Sequence, residues 1–430
     1  MTVDSQVERL ICWLKSRPRH HGGVVFCDLV DSTGTMQAVC NSTSFDGSLP
    51  ETARLIPETS LLVTGLIKVQ VSGQKEILVN SMSVTSAAQR FLTPSVRSYD
   101  TEILDPSAQD HVLNLRHVYI RNPILGMLNE FRSAAFFHIR TWFEANRFLD
   151  FSAPLITPSL LYDPKSAIHL ANLSKDTLYL SQCAGFYLEA AAHAHERVYN
   201  LGPSFRNESR TNRHLMEYWH IKAELCSGTM DDIIRLVELF LSDLWSSLRT
   251  RGRNIRAVLK CDAFEDITLP FARVTYREAI DRLQSHGFDI HFGANIGKSH
   301  ERWLTAAAGE KPVWVTHKPR SLEPFPYSID PKDDQLTMTA DLIAPNGFGE
   351  ICGVAEKSFS LDTLDERLIE KWQDTTQPRY QWVRELRSFG MVPHTAFGMG
   401  FERMLRWFCG NGHVKDNIPF PRIFDRYPMP

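Results

Sequence analysis

Short apolar, β-rich runs separated by turn residues fill the first hundred positions. Val24-Val25-Phe26-Cys27-Asp28-Leu29-Val30 leads into Asp31-Ser32-Thr33-Gly34, and Met36-Gln37-Ala38-Val39-Cys40 resumes, which is a hairpin signal. Further runs of the same kind occupy 60–71 and 76–84. About five short strands with turns between them predict a small β-barrel. Residues 92–110 are polar and contain proline, which marks a linker.

The rhythm then changes. Residues 124–146 (ILGMLNEFRSAAFFHIRTWFEAN) place apolar side chains at helical spacing, and 147–151 is strand-like before Ala153-Pro154 closes it. A helical run at 185–196 leads into an apolar stretch at 197–202. Strand-like segments at 214–225 and 336–343 flank a helical middle at 229–250. Helices are expected near 363–372 and 380–389, and a glycine-punctuated helix start at 397–406. The pattern predicts an α+β protein with long, mostly antiparallel strands. It divides into a barrel domain over 1–95, a linker over 96–112 and a larger domain over 113–430.

Composition narrows the class only a little. The 430 residues are 43% hydrophobic and 23% charged, enough for more than one core, and the net charge of −3 advertises no global field for nucleic acid. The 8 cysteines form no CxxC pair, so neither a zinc site nor a disulfide framework is indicated. The N-terminal residues do not resemble a signal peptide, and no stretch is apolar enough to span a bilayer. A soluble cytoplasmic enzyme is the expectation.

Two arginine-bearing stretches carry the candidate chemistry. The first, Phe205-Arg206-Asn207-Glu208-Ser209-Arg210-Thr211-Asn212-Arg213-His214-Leu215-Met216-Glu217-Tyr218, gathers arginines, a histidine and carboxylates around a polar loop. Period-two alternation places Arg206 and Glu208 on one strand face, a guanidinium for anionic oxygens beside a carboxylate for an amine. Taken alone it reads equally as a solvated charged hairpin. The second, Phe397-Gly398-Met399-Gly400-Phe401-Glu402-Arg403, sets glycines before an amphipathic helix, where a ligand or a neighbouring strand approaches closely.

Their order resembles motifs 1, 2 and 3 of the class II aminoacyl-tRNA synthetases: helix, strand and Pro154, then Arg206 and Glu208, then Glu350, then Gly398–Arg403. The stretch from Tyr179 to Cys226, with Tyr187-Leu188-Glu189 and SRTNRHLMEYWHI, is similar to asparaginyl-tRNA synthetases in particular. So are Pro393-His394 through Arg403 and the ending Ile418-Pro419-Phe420-Pro421-Arg422. The first domain resembles that family's anticodon-binding OB-fold, with Phe26 and Gln37 at the spacing of a base-stacking aromatic and a base-reading amide. The resemblance implies an OB-fold barrel followed by a catalytic domain whose antiparallel sheet is flanked by helices. It implies ATP and Mg²⁺ as cofactors and adenylation of a carboxylate. Arg206 would grip the α-phosphate and the attacking carboxylate, with Glu208 at the adenine amine. Tyr218 and Arg403 would sandwich the adenine, and Arg213 and His214 would meet the outer phosphates. Asp341 and Glu350 would hold the metal. It also implies a homodimer through motif 1, and leaves tRNA as an open partner.

The amino-acid half-site departs from the family. Along Gln182-Cys183-Ala184-Gly185-Phe186-Tyr187, Cys183 stands for the family's serine and Gly185 for the glutamine that helps hold a substrate ammonium. Lys222, two residues before Glu224, replaces an acid with the same task, which reverses the sign of the contact. Gly353-Val354-Ala355-Glu356-Lys357 replaces Gly-Gly-Ser-x-Arg, and Thr395-Ala396 replaces a glycine pair. These changes predict an acid other than ordinary asparagine, one that presents a carboxylate or lacks a free amine near Lys222. In the barrel, Val30 stands where the family has an arginine, while Lys15, Arg17, Arg19, His20 and His21 form a basic cluster that meets either phosphate or solvent.

Overall fold

A computed structural model describes residues 6–426, apart from 71, 91–95, 107–108, 162–163, 172–176, 263, 265, 372–374 and 376–377. Parts of the linker read at 92–110, and Trp372 at the predicted end of one helix, therefore lie outside the described residues. The chain divides into two compact units, Met1–Asp100 and Thr101–Pro430.

The first unit is a barrel. The strand Gln6–Leu14 pairs antiparallel with Ser60–Val69 along Gln6↔Ile67 to Trp13↔Ser60, and also meets Val24–Val30 at Trp13↔Val30, which closes the sheet. Strands Arg19–His21, Thr35–Asn41 and Lys75–Ser86 complete it, with order and closure of the OB kind. Period-two alternation sends Val25, Cys27 and Leu29 inward, where they pack with Cys12, Ala38, Cys40, Val63, Ile77 and Val79. The opposite parity leaves Phe26 and Gln37 half-buried on the outer surface. Of the basic cluster, His20 and His21 are exposed while Arg19 is tied to Asp28 at 3.0 Å.

The second unit is built on eight strands in the order Ala272–Thr275, Val313–Thr316, Thr339–Ala344, Gly349–Lys357, His394–Gly400, Glu217–Cys226, Arg197–Phe205 and Leu149–Asp150. Pairing is antiparallel except at the two outer pairs, Ala272↔Val313 and Val198↔Leu149. Helices Pro123–Ala145 and Met230–Val258 cover one face. Asn122 caps the first, with Pro123 at a position where a missing N–H costs nothing; Thr229 and Asp232 form a capping box on the second. Trp219 meets Phe136 edge-on at 4.8 Å and Phe143 stacks on Tyr199 at 4.1 Å. Even-numbered side chains of Glu217–Cys226 therefore point the other way, to the face that carries the cavity. No helix among the described residues is long and apolar enough to cross a membrane.

Two local expectations shift. The strand Arg197–Phe205 stops before Arg206, so Arg206 and Glu208 stand in the loop between two strands rather than within one. The glycine-punctuated helix start at 397–406 is instead the strand His394–Gly400, followed by the helix Phe401–Cys409. The strand wins because two neighbours use its backbone at once, through Lys222↔Gly398 and Gly353↔Gly398. A Cβ at 398 would lie 3.0 Å from His220 Nε2 and 3.2 Å from Lys222 Cε, so glycine there is space for side chains crossing the sheet.

Candidate active site

A cavity of about 530 Å³ opens on the sheet face opposite the helices Pro123–Ala145 and Met230–Val258. Arg206, Glu208, Arg213, His214, Tyr218, Glu350 and Arg403 all line it. The Arg206 guanidinium lies 3.5 Å from Glu208, whose other oxygen is 3.3 Å from His214 Nε2. Arg403 projects from the first turn of Phe401–Cys409; its Nε donates to the Arg213 carbonyl and its Nη1 to the Glu350 carbonyl, both at 3.2 Å. Those bonds hold its plane across the cavity, with the Glu350 carboxylate 3.6 Å away. Burial alone would raise Glu350, but Arg403, Lys318, Arg206 and Arg213 outweigh it and hold the carboxyl low. His214 is pushed below its ordinary value by burial and by Arg403, against the pull of the Glu208 carboxylate beside it.

Arg213 is engaged from two sides. Its Nη1 donates to Glu301 at 2.6 Å, on the helix Lys298–Ala307, and it crosses Gly349 so closely that a Cβ there would lie 2.0 Å from Nη1. Gly349 has φ +79, a left-handed backbone that disfavours side chains, so close approach and turn both require glycine.

The far end of the cavity is cationic. Lys222, Gly353, Lys357 and Ala396 line it. Lys222 is only 3% exposed, and its Nζ lies 3.2 Å from where a Cβ on Gly185 would be, with Leu161 and Cys183 Sγ closing the same spot at 3.2 and 3.4 Å. The lysine thus fills space that any side chain at 185 would contest. Gln182 and Tyr187 stand outside the cavity wall: Gln182 Nε2 donates to Ser166 Oγ at 3.0 Å, and Tyr187 donates to Thr157 Oγ1 at 2.9 Å while stacking on Trp382.

Beneath Lys357 lies a buried ionic group, in which Arg387 is the member that no motif stretch singled out in the sequence contains. Lys357 Nζ is 3.9 Å from Glu189 and 3.8 Å from Glu224; Arg387 reaches Glu189 at 2.7 Å; His394 Nε2 is 3.8 Å from Glu189 and 3.9 Å from Glu224. Burial pushes Glu224 up to about 7, against Lys357 and His394, whereas Arg387, His394 and Lys357 overcome burial at Glu189 and hold it low. Two carboxylates face Lys357, Arg387 and His394, so Glu189, Glu224 and His394, though close enough to share an ion, already have their counter-charges. Lys222 adds one more cation beside them.

Lys318 and Glu323 also line the cavity, and neither lies in the three motifs. Lys318 Nζ is 2.5 Å from Glu323 Oε1 and 2.5 Å from Asp341 Oδ2. Asp341 and Glu350 share the cavity and offer the hard carboxylate oxygens that a magnesium ion takes, so their donor chemistry fits a divalent ion.

Residues 108–423 match the family described as tRNA synthetases class II (D, K and N), and residues 9–85 match the OB-fold nucleic acid binding domain. Among solved structures, the chain is similar to asparaginyl-tRNA synthetase from Pyrococcus horikoshii complexed with asparaginyl-adenylate, at 30% identity and a TM-score of 0.89 over 99% of this chain and 96% of that one. It shares the fold of Entamoeba histolytica asparaginyl-tRNA synthetase, at 24% identity and a TM-score of 0.85 over 99% of this chain and 97% of that one. With an arginine-lined cavity on its sheet and an OB-fold ahead of it, this chain belongs to the class II tRNA synthetases of the D, K and N group, which are ATP-dependent aminoacyl-adenylate-forming ligases.

Proposed function

We propose that this chain adenylates a carboxylic acid that carries no free ammonium beside the activated carboxyl, and then passes the acyl group to an acceptor. A carboxylate oxygen of the acid attacks the α-phosphorus of ATP and pyrophosphate leaves; the acceptor then attacks the acyl carbon and AMP leaves. Arg206 steadies the charge that builds on the α-phosphoryl oxygens, and Tyr218 and Arg403 hold the adenine between a ring and a guanidinium plane. Arg213 and His214 lie toward the outer phosphates, with Glu208 at the adenine amine. A magnesium ion bound by Asp341 and Glu350 would neutralise phosphate charge. The chain works as a homodimer through the helix Pro123–Ala145, in the cytoplasm.

One observation carries the substrate reading: Lys222 Nζ lies within 3.2 Å of the Cβ position at Gly185. An ammonium brought there would meet another ammonium in a buried site, where like charges repel strongly. An anionic or oxygen substituent would meet a partner. Beyond it, Lys357, held from beneath by Glu224 and Glu189, offers a donor to a polar far end of the acid. An amine or ammonia as acceptor makes the enzyme an amide ligase.

Pyrophosphate exchange across matched acids tests this. Acids differing from asparagine only in an oxygen, a carboxylate or a hydrogen in place of the α-ammonium are expected to support exchange, and asparagine is not. Asparagine-dependent exchange together with charging of a tRNA would establish the alternative, an asparagine–tRNA ligase, for which the OB-fold with Phe26 and Gln37 outward is the supporting feature. Silence with every acid would point to a binding protein that kept the fold. Lys222→Glu is expected to transfer preference toward an ammonium-bearing acid by at least about tenfold while the KM for ATP stays within about twofold. Equal loss of both would place Lys222 in the nucleotide half instead.

A further inference from the structure

Lys318 is pinned more firmly than a surface lysine. His317 before it takes a left-handed backbone, φ 56, and its N–H donates to the Thr339 carbonyl at 2.7 Å. The Lys318 carbonyl accepts from Thr337 twice, from N–H at 2.9 Å and from Oγ1 at 3.0 Å. Pro319 then restricts Lys318 itself to extended backbone. The side chain so launched enters the cavity and ends between two carboxylates, with Nζ 2.5 Å from each. Glu323 is itself buried, and Asp341 is faced across the sheet by Gly353, whose Cβ would lie 3.3 Å from Asp341 Oδ1. Two carboxylates thus hold a lysine fixed by its own backbone, and a third, Glu350, lines the same cavity.

We propose that Lys318 is the resident cation of the Asp341–Glu323–Glu350 group and excludes a divalent ion from Asp341 until nucleotide is present. A magnesium ion needs its carboxylate oxygen at about 2.0–2.1 Å. An ammonium 2.5 Å from the same carboxylate occupies the approach and carries the same sign of charge. A metal therefore enters with the phosphates of ATP, whose added negative charge gives both cations partners, instead of waiting in the empty enzyme. Lys318 is then a positioning residue: its ammonium, 2.5 Å from each, holds the Asp341 and Glu323 carboxyl groups in place, and it sets the order in which cation and nucleotide arrive.

The test needs neither the acid nor the acceptor, so it stands whichever acid is activated. Mn²⁺ is titrated into the nucleotide-free full chain and bound metal is read from its electron paramagnetic resonance signal. The wild type is expected to show no Mn²⁺ site that Asp341→Asn removes. Lys318→Met leaves three carboxylates without their ammonium and is expected to bind Mn²⁺ at least about tenfold more tightly. It should gain thermal stability on adding the metal, and lose both effects in the Lys318→Met/Asp341→Asn double variant. Equal Mn²⁺ affinity in wild type and Lys318→Met overturns the proposal. So does a tight wild-type site abolished by Asp341→Asn, which decides the matter even if Lys318→Met does not fold.

Discussion

Arg403→Ala is expected to lower ATP-dependent pyrophosphate exchange by roughly 10²–10³-fold or more, the scale seen when one preorganised electrostatic group is taken from an active site. The side chain is 23% exposed and its hydrogen bonds go to backbone carbonyls of Arg213 and Glu350 rather than to buried charge. Its loss should therefore cost only about 1 kcal/mol of stability per bond. Arg403→Lys separates charge from shape. The lysine keeps a cation near Glu350 but has neither a planar face for the adenine nor a fork for two carbonyls. Its expected signature is a KM for ATP raised by at least about tenfold, with kcat reduced less than in Arg403→Ala. Exchange retained within about threefold in Arg403→Ala would mean that ATP does not lie across this guanidinium.

What the sequence disclosed follows from how local each feature is. The long helix Met230–Val258 announces itself through apolar spacing over 229–250, because that spacing repeats within each turn. The inward set Val25, Cys27 and Leu29 shows as alternation for the same reason. The fate of Gly398 and Gly400 was not local. Glycines before an amphipathic run suit a helix start or a strand end, and only pairing with both Glu217–Cys226 and Gly349–Lys357 selects the strand. The ion pairs are less legible still. Arg213 finds Glu301 88 residues away, and Lys318, just past the strand Val313–Thr316, finds Asp341 on the strand that pairs with it only in the folded sheet. The exchange at 185 was visible as a missing side chain. That Lys222 fills the vacated space required the register Asn200↔Lys222 and Lys222↔Gly398, which aims the lysine toward the helix Gly185–His195.

The buried ionic group under Lys357 yields the largest expected change in stability. Arg387→Met removes the guanidinium 2.7 Å from Glu189, where both side chains are essentially inaccessible at 0% and 1%. The carboxylate would be left in the interior with Lys357 and His394 no nearer than 3.8 Å. Breaking one side of a buried pair costs about 3–5 kcal/mol, because the remaining charge keeps its desolvation penalty. The pH dependence has a definite sign. Glu189 is held below its ordinary value of 4.5 in the folded wild type, so its contribution is present above that value and is lost as pH falls through the folded pKa. Without Arg387 the folded pKa rises and that contribution disappears, so the gap between wild type and variant should be widest near neutral pH and narrow toward pH 4.5 and below. Glu224 acts in the opposite sense in both proteins: raised to about 7, it favours the fold at low pH and withdraws that support as pH climbs through 7. Urea titrations at pH 3.5 and pH 7.5 read the difference. The double variant Glu189→Gln/Arg387→Met should recover more than half of the loss, since removing both charges removes the unpaired one. A loss under about 1 kcal/mol in Arg387→Met, the same at both pH values, would show that Lys357 and His394 alone neutralise Glu189. In that case Lys357 is tied to the floor of the pocket and its ammonium is not available to the far end of the acid.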